Sequence, residues 1–248
     1  NDNHDGTMYI TQGFIANSVS PKTTTTLGRE GSDFSAAIFA NCLDAEELTI
    51  WKDVDGLRNA DPKRFTVTEK IEHLSYFEAI ELAFYGASII HPKTLKPLQN
   101  KNIPLKVRSF LDTSLEPSVI DGTKDYIKYV PSYIVKERQT LMSITPKDYS
   151  FMNEHNRALI FNIMDELNIH ANMTQISALV LSICFDENEK KRIMLTDALS
   201  QAFKVKYNDG LKLFTIRHYQ EGLEKDFIED KKIYVEQRSR STYQIVLE

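Results

Sequence analysis

The chain has 248 residues, 42% hydrophobic and 26% charged, with a formal net charge of −5. That is room for two domains with cores of their own and too little bias for a disordered or fibrous protein. Its 30 basic residues are outnumbered by 35 acidic ones, which argues against general affinity for nucleic-acid backbones. No run approaches the roughly 18 to 20 apolar residues of a membrane-spanning helix. The two cysteines, Cys42 and Cys184, stand far apart, so neither a disulfide framework nor a thiolate metal site is expected, and a reducing, cytoplasmic setting is.

The first six residues are polar and acidic, unlike a signal peptide, and run into Met8-Tyr-Ile-Thr-Gln-Gly-Phe-Ile15, which reads as a buried strand. A chain that opens without Met almost on a core strand reads as cut from a longer one. The pattern then predicts a strand over Tyr9 to Ile15, a helix over Asp33 to Leu43, a strand over Glu47 to Trp51, a helix over Phe77 to Ala87 and a strand over Ile103 to Ser109. Strands separated by helices imply a parallel α/β sheet. Ser32-Asp33 is placed to cap the first helix, whose apolar stripe is Phe34, Ala37, Ile38 and Ala40-Asn-Cys42, with Cys42 packing as a small hydrophobe. Ser75 with Glu78 forms a capping box for the second helix, and Gly86 ends it. Phe77, Ile80, Ala83 and Phe84 are expected to face the sheet.

From Asp112 to Lys128 the chain turns polar and turn-rich, and a domain boundary is placed there, giving a first domain over 1–128. Tyr129 to Val135 resumes β character. Beyond it come a strand (Thr140 to Thr145), helix (Asn156 to Leu167), two strands (Asn172 to Ser177, Leu179 to Phe185), helix (Ile193 to Phe203) and strand (Lys204 to Tyr207). This βαββαβ order is the ferredoxin-like α+β arrangement, over 129–208. A shorter βαββ string over 209–248 would have to complete its sheet against the preceding unit.

Two stretches point to chemistry. In Thr23-Thr-Thr-Thr-Leu-Gly-Arg-Glu-Gly-Ser-Asp-Phe-Ser35, glycines flank Arg29-Glu30 before a helix begins. Backbone N–H groups and the positive end of the helix could receive an anion while Arg29 grips a carboxylate or phosphate. An ordinary strand-to-helix loop with glycines at positive φ explains the spacing equally well. In Ile50-Trp-Lys-Asp-Val-Asp-Gly-Leu-Arg-Asn-Ala-Asp-Pro-Lys-Arg64, a strand ends at Lys52 and a charged loop follows. That is where nucleotides sit in open α/β sheets, although a solvated charged loop has the same composition. His73 and His91 have no partner at metal-ligand spacing and read as satisfied or exposed histidines.

Thr24-Thr-Thr-Leu-Gly-Arg-Glu-Gly-Ser-Asp33, Trp51-Lys-Asp-Val-Asp-Gly56 with Ala60-Asp-Pro62, Glu78-Ala-Ile-Glu-Leu-Ala-Phe-Tyr-Gly-Ala-Ser-Ile-Ile-His-Pro92, and Ile103-Pro-Leu105 with Val107-Arg-Ser-Phe110 together closely resemble the aspartokinases. The resemblance implies part of an amino-acid-kinase three-layer α/β/α sandwich followed by ferredoxin-like ACT units. It implies transfer of the ATP γ-phosphoryl group, with Mg2+, to the side-chain carboxylate of L-aspartate, the entry step toward lysine, threonine and methionine. Arg29, Ser32 and Asp33 would hold aspartate; Lys52, Asp53, Arg58, Asp61 and Lys63 occupy nucleotide-contact positions. Arg58 stands where an aromatic residue is common, Lys63 where Arg usually follows Asp-Pro, and Ser88 where many members carry Lys. The family's Lys-Phe-Gly-Gly-Thr-Ser phosphate loop has no counterpart in this sequence, so the expectation is the carboxy-terminal portion of an aspartokinase, inactive by itself. ACT units imply homodimerisation and an amino-acid effector, lysine before threonine, held by Ser150, Phe151, Asn156, Asn172 and Ser177. The competing reading is a non-catalytic ACT-type sensor.

Overall fold

The computed structural model describes residues 6–27, 31–87, 90–123 and 129–248. Two compact units meet in sequence at Val130 and Pro131.

The first unit begins with β1 (Ile15–Asn17) and β2 (Thr24–Thr26), a small antiparallel hairpin. Tyr9 to Ile15 is not the buried strand the sequence predicts. Met8, Tyr9 and Ile10 are 84%, 73% and 91% exposed: apolar character forms a strand only where a sheet edge is available to pair with it. Helix α1 runs over Gly31–Cys42, so Ser32 and Asp33 lie in its first turn instead of capping it. Gly31, Ser35, Ala37 and Ala40 form its buried stripe, while Cys42 is exposed and does not pack as a core residue.

Strand β3 (Leu48–Lys52) leads through β4 (Leu57–Arg58), β5 (Lys70–Ile71) and β6 (His73–Ser75) to α2 (Tyr76–Tyr85). Ser75 caps α2 by accepting the Glu78 N–H, and Gly86 ends it at φ 107°, as the sequence predicts. The helix is apolar nearly all round, so its period cannot choose the buried side. Tyr76, Ala79 and Leu82 are buried, and Phe77 and Phe84, expected against the sheet, are 62% and 60% exposed. Tyr76 fixes this orientation by donating its hydroxyl to the Ile103 carbonyl at 2.5 Å.

A further helix, α3 (Pro92–Lys101), follows, with His91 as its cap: the ring Nδ1 accepts the Lys93 N–H. Its low apolar content and internal Pro97 hid it from the sequence reading. It packs on α1, where Asn41 donates to the Pro97 carbonyl at 2.7 Å and Lys101 reaches the Asn41 carbonyl at 2.6 Å. Strands β7 (Leu105–Ser109) and β8 (Ser118–Asp121) complete a four-stranded sheet of order β3-β7-β8-β6. The β3–β7 and β6–β8 pairs are parallel, but β7 and β8 are antiparallel. The sheet is therefore mixed rather than all parallel, because the short connection between β7 and β8 contains no crossover helix. It also places a strand inside the segment read as turn-rich.

The second unit is a six-stranded sheet of order β10-β11-β9-β12-β14-β13, every neighbouring pair antiparallel. Its elements are β9 (Ser132–Pro146), α4 (Glu154–Glu166), β10 (Ala171–Ile176), β11 (Leu181–Asp186), α5 (Glu189–Leu199), β12 (Phe203–Arg217), the single turn α6 (Lys225–Ile228), β13 (Ile233–Arg238) and β14 (Thr242–Leu247). Strands read separately from the sequence are continuous here: β9 and β12 each run 15 residues, bending at Arg138 (φ 53°) and Gly210 (φ 71°). The ends of β9 and β12 that pair Ser132 with Arg217 supply the strand that the shorter string lacks. Met142, Ile144, Ile160, Met164, Ile183 and Leu195 pack between sheet and helices. On the opposite face Leu141, Met173, Cys184, Leu213 and Val246 form a second core, the period-two alternation of a sheet buried on both sides. Asn153 and Asn188 cap α4 and α5 through their side chains, and α5 accordingly begins earlier than its apolar residues indicate.

Candidate functional site

The carboxyl end of β3 and the first turn of α1 build the site in the first unit. Gly31 lies under the ring of Phe14, where a Cβ would come within 2.1 Å of a ring atom. Ser35 ties the two segments together, accepting the Phe14 N–H at 3.0 Å and donating to the Gly31 carbonyl at 2.5 Å. The helix therefore starts at a fixed place, with Ser32 exposed and Asp33 half-buried. Lys52 is the last residue of β3, paired in register with Ser109 of β7. Its Nζ lies 3.7 Å from Asp33 Oδ2. Residues from the two separate motifs are thus brought together, a cation beside an anion next to the positive end of a helix.

Beyond Lys52 the chain is less open than its charge pattern implies. Arg58 does not project freely: Nε and Nη2 grip the Asp55 carboxylate at 3.1 and 2.7 Å, and Nη1 donates to the carbonyl and hydroxyl of Thr68 at 3.1 and 2.9 Å. The Arg58 hydrogen bonds hold the Asp55 carboxyl below its usual range, outweighing the opposing effect of burial. Asp61 accepts the Lys63 N–H at 2.9 Å, shaping a turn, and lies 3.7 Å from Arg64. Asp53, Asp61 and Lys63 are exposed. Trp51 is exposed too, with the Arg108 guanidinium 5.9 Å from its ring centroid. Arg29 and Ser88 lie outside the described residues. His73 pairs with Asp121 at 2.8 Å, as a satisfied histidine.

In the second unit, Ser150, Phe151, Asn156 and Ser177 gather where the β9–α4 loop meets the β10–β11 turn. Asn156 Nδ2 donates to the Phe151 carbonyl at 3.0 Å, Met152 N donates to the Ala178 carbonyl at 2.8 Å, and Ser177 closes the turn through Val180. Phe151 is 71% exposed. Asn172 is not with them. It occupies the bulge at the other end of β10, where it donates to Gln139 Oε1 and Asp186 Oδ1 and accepts from Lys136 Nζ, each at 2.8 Å. Burial pushes the Asp186 carboxyl up, but the Gln139 and Asn172 hydrogen bonds and the Lys136 charge outweigh it and hold it low. The residues that sequence reasoning missed, Gln139, Lys136 and Asp186, are scattered polar positions in strands with no spacing of their own.

Residues 3–109 match the amino acid kinase family. The chain is 30% identical over 186 residues to aspartokinase 1 of Arabidopsis thaliana, covering 75% of this chain and 33% of that protein. It is 30% identical over 219 residues to lysine-sensitive aspartokinase 3 of Escherichia coli, covering 84% of this chain and 48% of that one. Among solved structures, E. coli aspartokinase III in complex with aspartate and ADP superposes with a TM-score of 0.76 at 25% identity, over 95% of this chain and 56% of that chain. The chain thus spans about half or less of the length of the curated relatives named here. The first unit is thus similar to the amino-acid-kinase part of the aspartokinases, and the second is a ferredoxin-like, ACT-like unit.

Proposed function

We propose that the chain is the carboxy-terminal portion of an aspartate kinase, which transfers the ATP γ-phosphoryl group to the side-chain carboxylate of L-aspartate. The observation that carries this reading is the 3.7 Å approach of Lys52 to Asp33, which joins the loop expected to hold nucleotide to the helix end expected to hold an amino acid. A carboxylate is already a nucleophile at neutral pH, so the task is to bring two anions together, and positive charge with fixed positioning accomplishes it. Lys52 would face the nucleotide's phosphates and Asp33 the substrate ammonium; Arg29 and Ser32 would take the substrate carboxylate. With no ligand bound, Lys52 and Asp33 neutralise each other. Asp53, exposed at the end of β3, suits a Mg2+ ion that arrives on the phosphates and takes one or two carboxylates at most. Among the described residues no group of three or more His, Cys, Asp and Glu side chains is arranged to hold an ion. Bound Mg2+ would neutralise phosphate charge.

The solved relative named above carries aspartate and ADP, and another structure of the same enzyme, at 25% identity and a TM-score of 0.70, carries lysine and aspartate. On this basis we assign feedback by lysine, or else threonine, to the loop of Ser150, Phe151, Asn156 and Ser177, with dimerisation through the same unit, in the cytoplasm. The test is aspartyl phosphate trapped as the hydroxamate. The intact parent enzyme should form it from ATP and L-aspartate and this chain by itself should not; no aspartate-dependent product from the parent would leave only the amino-acid sensor reading.

A further inference from the structure

We propose that Ser118 is a positioning residue for the nucleotide loop: its buried hydroxyl bridges both strands of the β4–β5 hairpin and thereby fixes the loop that follows Lys52. This rests on the nucleotide reading of that loop.

Ser118 stands in β8, fully buried, in a strand whose other inward position is Ile120. A hydroxyl in such a place is tolerated when both its donor and an acceptor lone pair are used. Here they are: Oγ accepts the Leu57 N–H at 2.9 Å and donates to the Ile71 carbonyl at 2.6 Å. Leu57 and Ile71 are the paired residues at the base of the hairpin. One hydroxyl therefore holds the two strands from below and anchors them to the central sheet.

Gly56 shows how closely the backbone is drawn in. Its φ is 135°, and a Cβ there would lie 2.5 Å from Ser118 Oγ, so a side chain at 56 is excluded on both counts. On the opposite strand Lys70 Nζ donates to the Glu116 carbonyl at 2.6 Å, a second tether to the segment leading into β8. Asp53 and Asp55 lie between Lys52, which ends β3, and the Ser118 anchor, while Asp61 and Lys63 lie beyond the hairpin base. Arg58 follows Leu57 directly, and its fork on Asp55 closes the same loop. The loop thus has two fixed ends, β3 and Ser118, and Ser118 sets the height at which its charged groups stand above the sheet. Ser118 itself is buried and need not touch nucleotide.

The test uses the full chain as it stands, with Mg-ATP titrated by calorimetry to millimolar concentration and amide exchange followed by mass spectrometry. Ser118→Ala should weaken Mg-ATP binding about tenfold or more and speed exchange over residues 53–71 alone. Ser118→Thr, which keeps the hydroxyl, should restore both. Lys70→Met, at an exposed tether, should move both in the same direction by less and offers a variant with little risk to folding. Unchanged Mg-ATP affinity in Ser118→Ala, with the wild type binding, overturns the inference. So does faster exchange throughout the first unit without rescue by Ser118→Thr, which marks a general structural role. A wild-type chain that binds no Mg-ATP defeats the nucleotide reading instead; localised exchange in Ser118→Ala would then still support the anchor, and its absence would overturn that as well.

Discussion

The guanidinium of Arg58 closes a fork on the carboxylate of Asp55, with Nε 3.1 Å from one oxygen and Nη2 2.7 Å from the other. Both side chains are about one-third exposed, so solvent screens the pair and its contribution is modest. Arg58→Ala should destabilise the first unit by about 1 kcal/mol at neutral pH. The Arg58 hydrogen bonds hold the folded Asp55 pKa below 3.8. A depressed folded pKa means the stabilisation is complete above the unfolded value and is lost as pH falls through the folded one. The gap between wild type and Arg58→Ala in denaturant titrations should therefore stay constant above pH 5 and narrow as the solution is taken below about pH 4. The part owed to the Thr68 hydrogen bonds does not titrate and should remain; a gap that does not narrow at all at low pH would remove Asp55 from the account.

Kinetics of the intact parent enzyme should separate the two halves of the site. Arg29→Ala and Asp33→Asn remove contacts assigned to the amino acid, so each should raise the KM for L-aspartate by about 30-fold, the effect of about 2 kcal/mol, with the KM for ATP little changed. Lys52→Met should do the reverse. Arg29→Lys should recover only part of the loss, because an ammonium cannot reproduce the bidentate fork. If Lys52→Met altered only the aspartate KM, the ion pair with Asp33 would belong wholly to the amino-acid pocket.

What the sequence disclosed, and what it withheld, follows from the kind of signal involved. Caps are local chemistry, and Ser75 with Glu78 and Gly86 was legible because a hydroxyl, three residues and a left-handed glycine suffice to define an end. Facing is not local: Phe77 and Phe84 share a helix with Tyr76 and Leu82, and only the neighbouring β6, β8 and α3 decide which pair is buried. The resemblance located Asp33 and Lys52, yet their 3.7 Å approach depends on where β3 ends relative to α1. Arg58 looked available because nothing in the spacing reveals that Asp55 and Thr68 enclose it. Ser118 fell in a stretch whose polar composition hid a strand.

The effector loop makes a sharper claim, since its candidates separate into two places. Calorimetric titration of the chain with lysine and with threonine should show binding of one of them, lost in Ser177→Ala or Asn156→Ala with little change in melting temperature. Asn172 behaves differently because it joins Lys136, Gln139 and Asp186 in one network. Asn172→Ala removes hydrogen bonds from the buried Gln139, the half-buried Lys136 and the exposed Asp186 and should cost about 1 to 3 kcal/mol of stability. Should Asn172→Ala abolish binding while leaving stability intact, Asn172 would be a direct ligand contact after all.

The two cysteines give a direct measure of how firmly the second unit is closed. Cys42 is exposed at the end of α1, whereas Cys184 is 1% exposed in the second core, with its Sγ 3.6 Å from Gln139 Oε1. Burial pushes the Cys184 thiol up to about 12, the Asp186 carboxylate adds to that, and the Lys136 ammonium works against it. Because the thiolate is the reactive form, alkylation of Cys184 needs the strand to open and expose it. A domain of ordinary stability opens so rarely that Cys184 should react about a thousandfold or more slowly than Cys42. In a timed iodoacetamide pulse read by peptide mass spectrometry, Cys42 should be modified at once. Cys184 should be modified only as denaturant unfolds the sheet, at a concentration matching the loss of its far-ultraviolet signal. Lys136→Met keeps the apolar stem but removes the ammonium that holds Asn172, and should bring Cys184 labelling to lower denaturant. Equal labelling of the two cysteines in buffer would mean that the β9–β11 face opens freely in solution, and the second core could not then be what holds the bend of β9 in place.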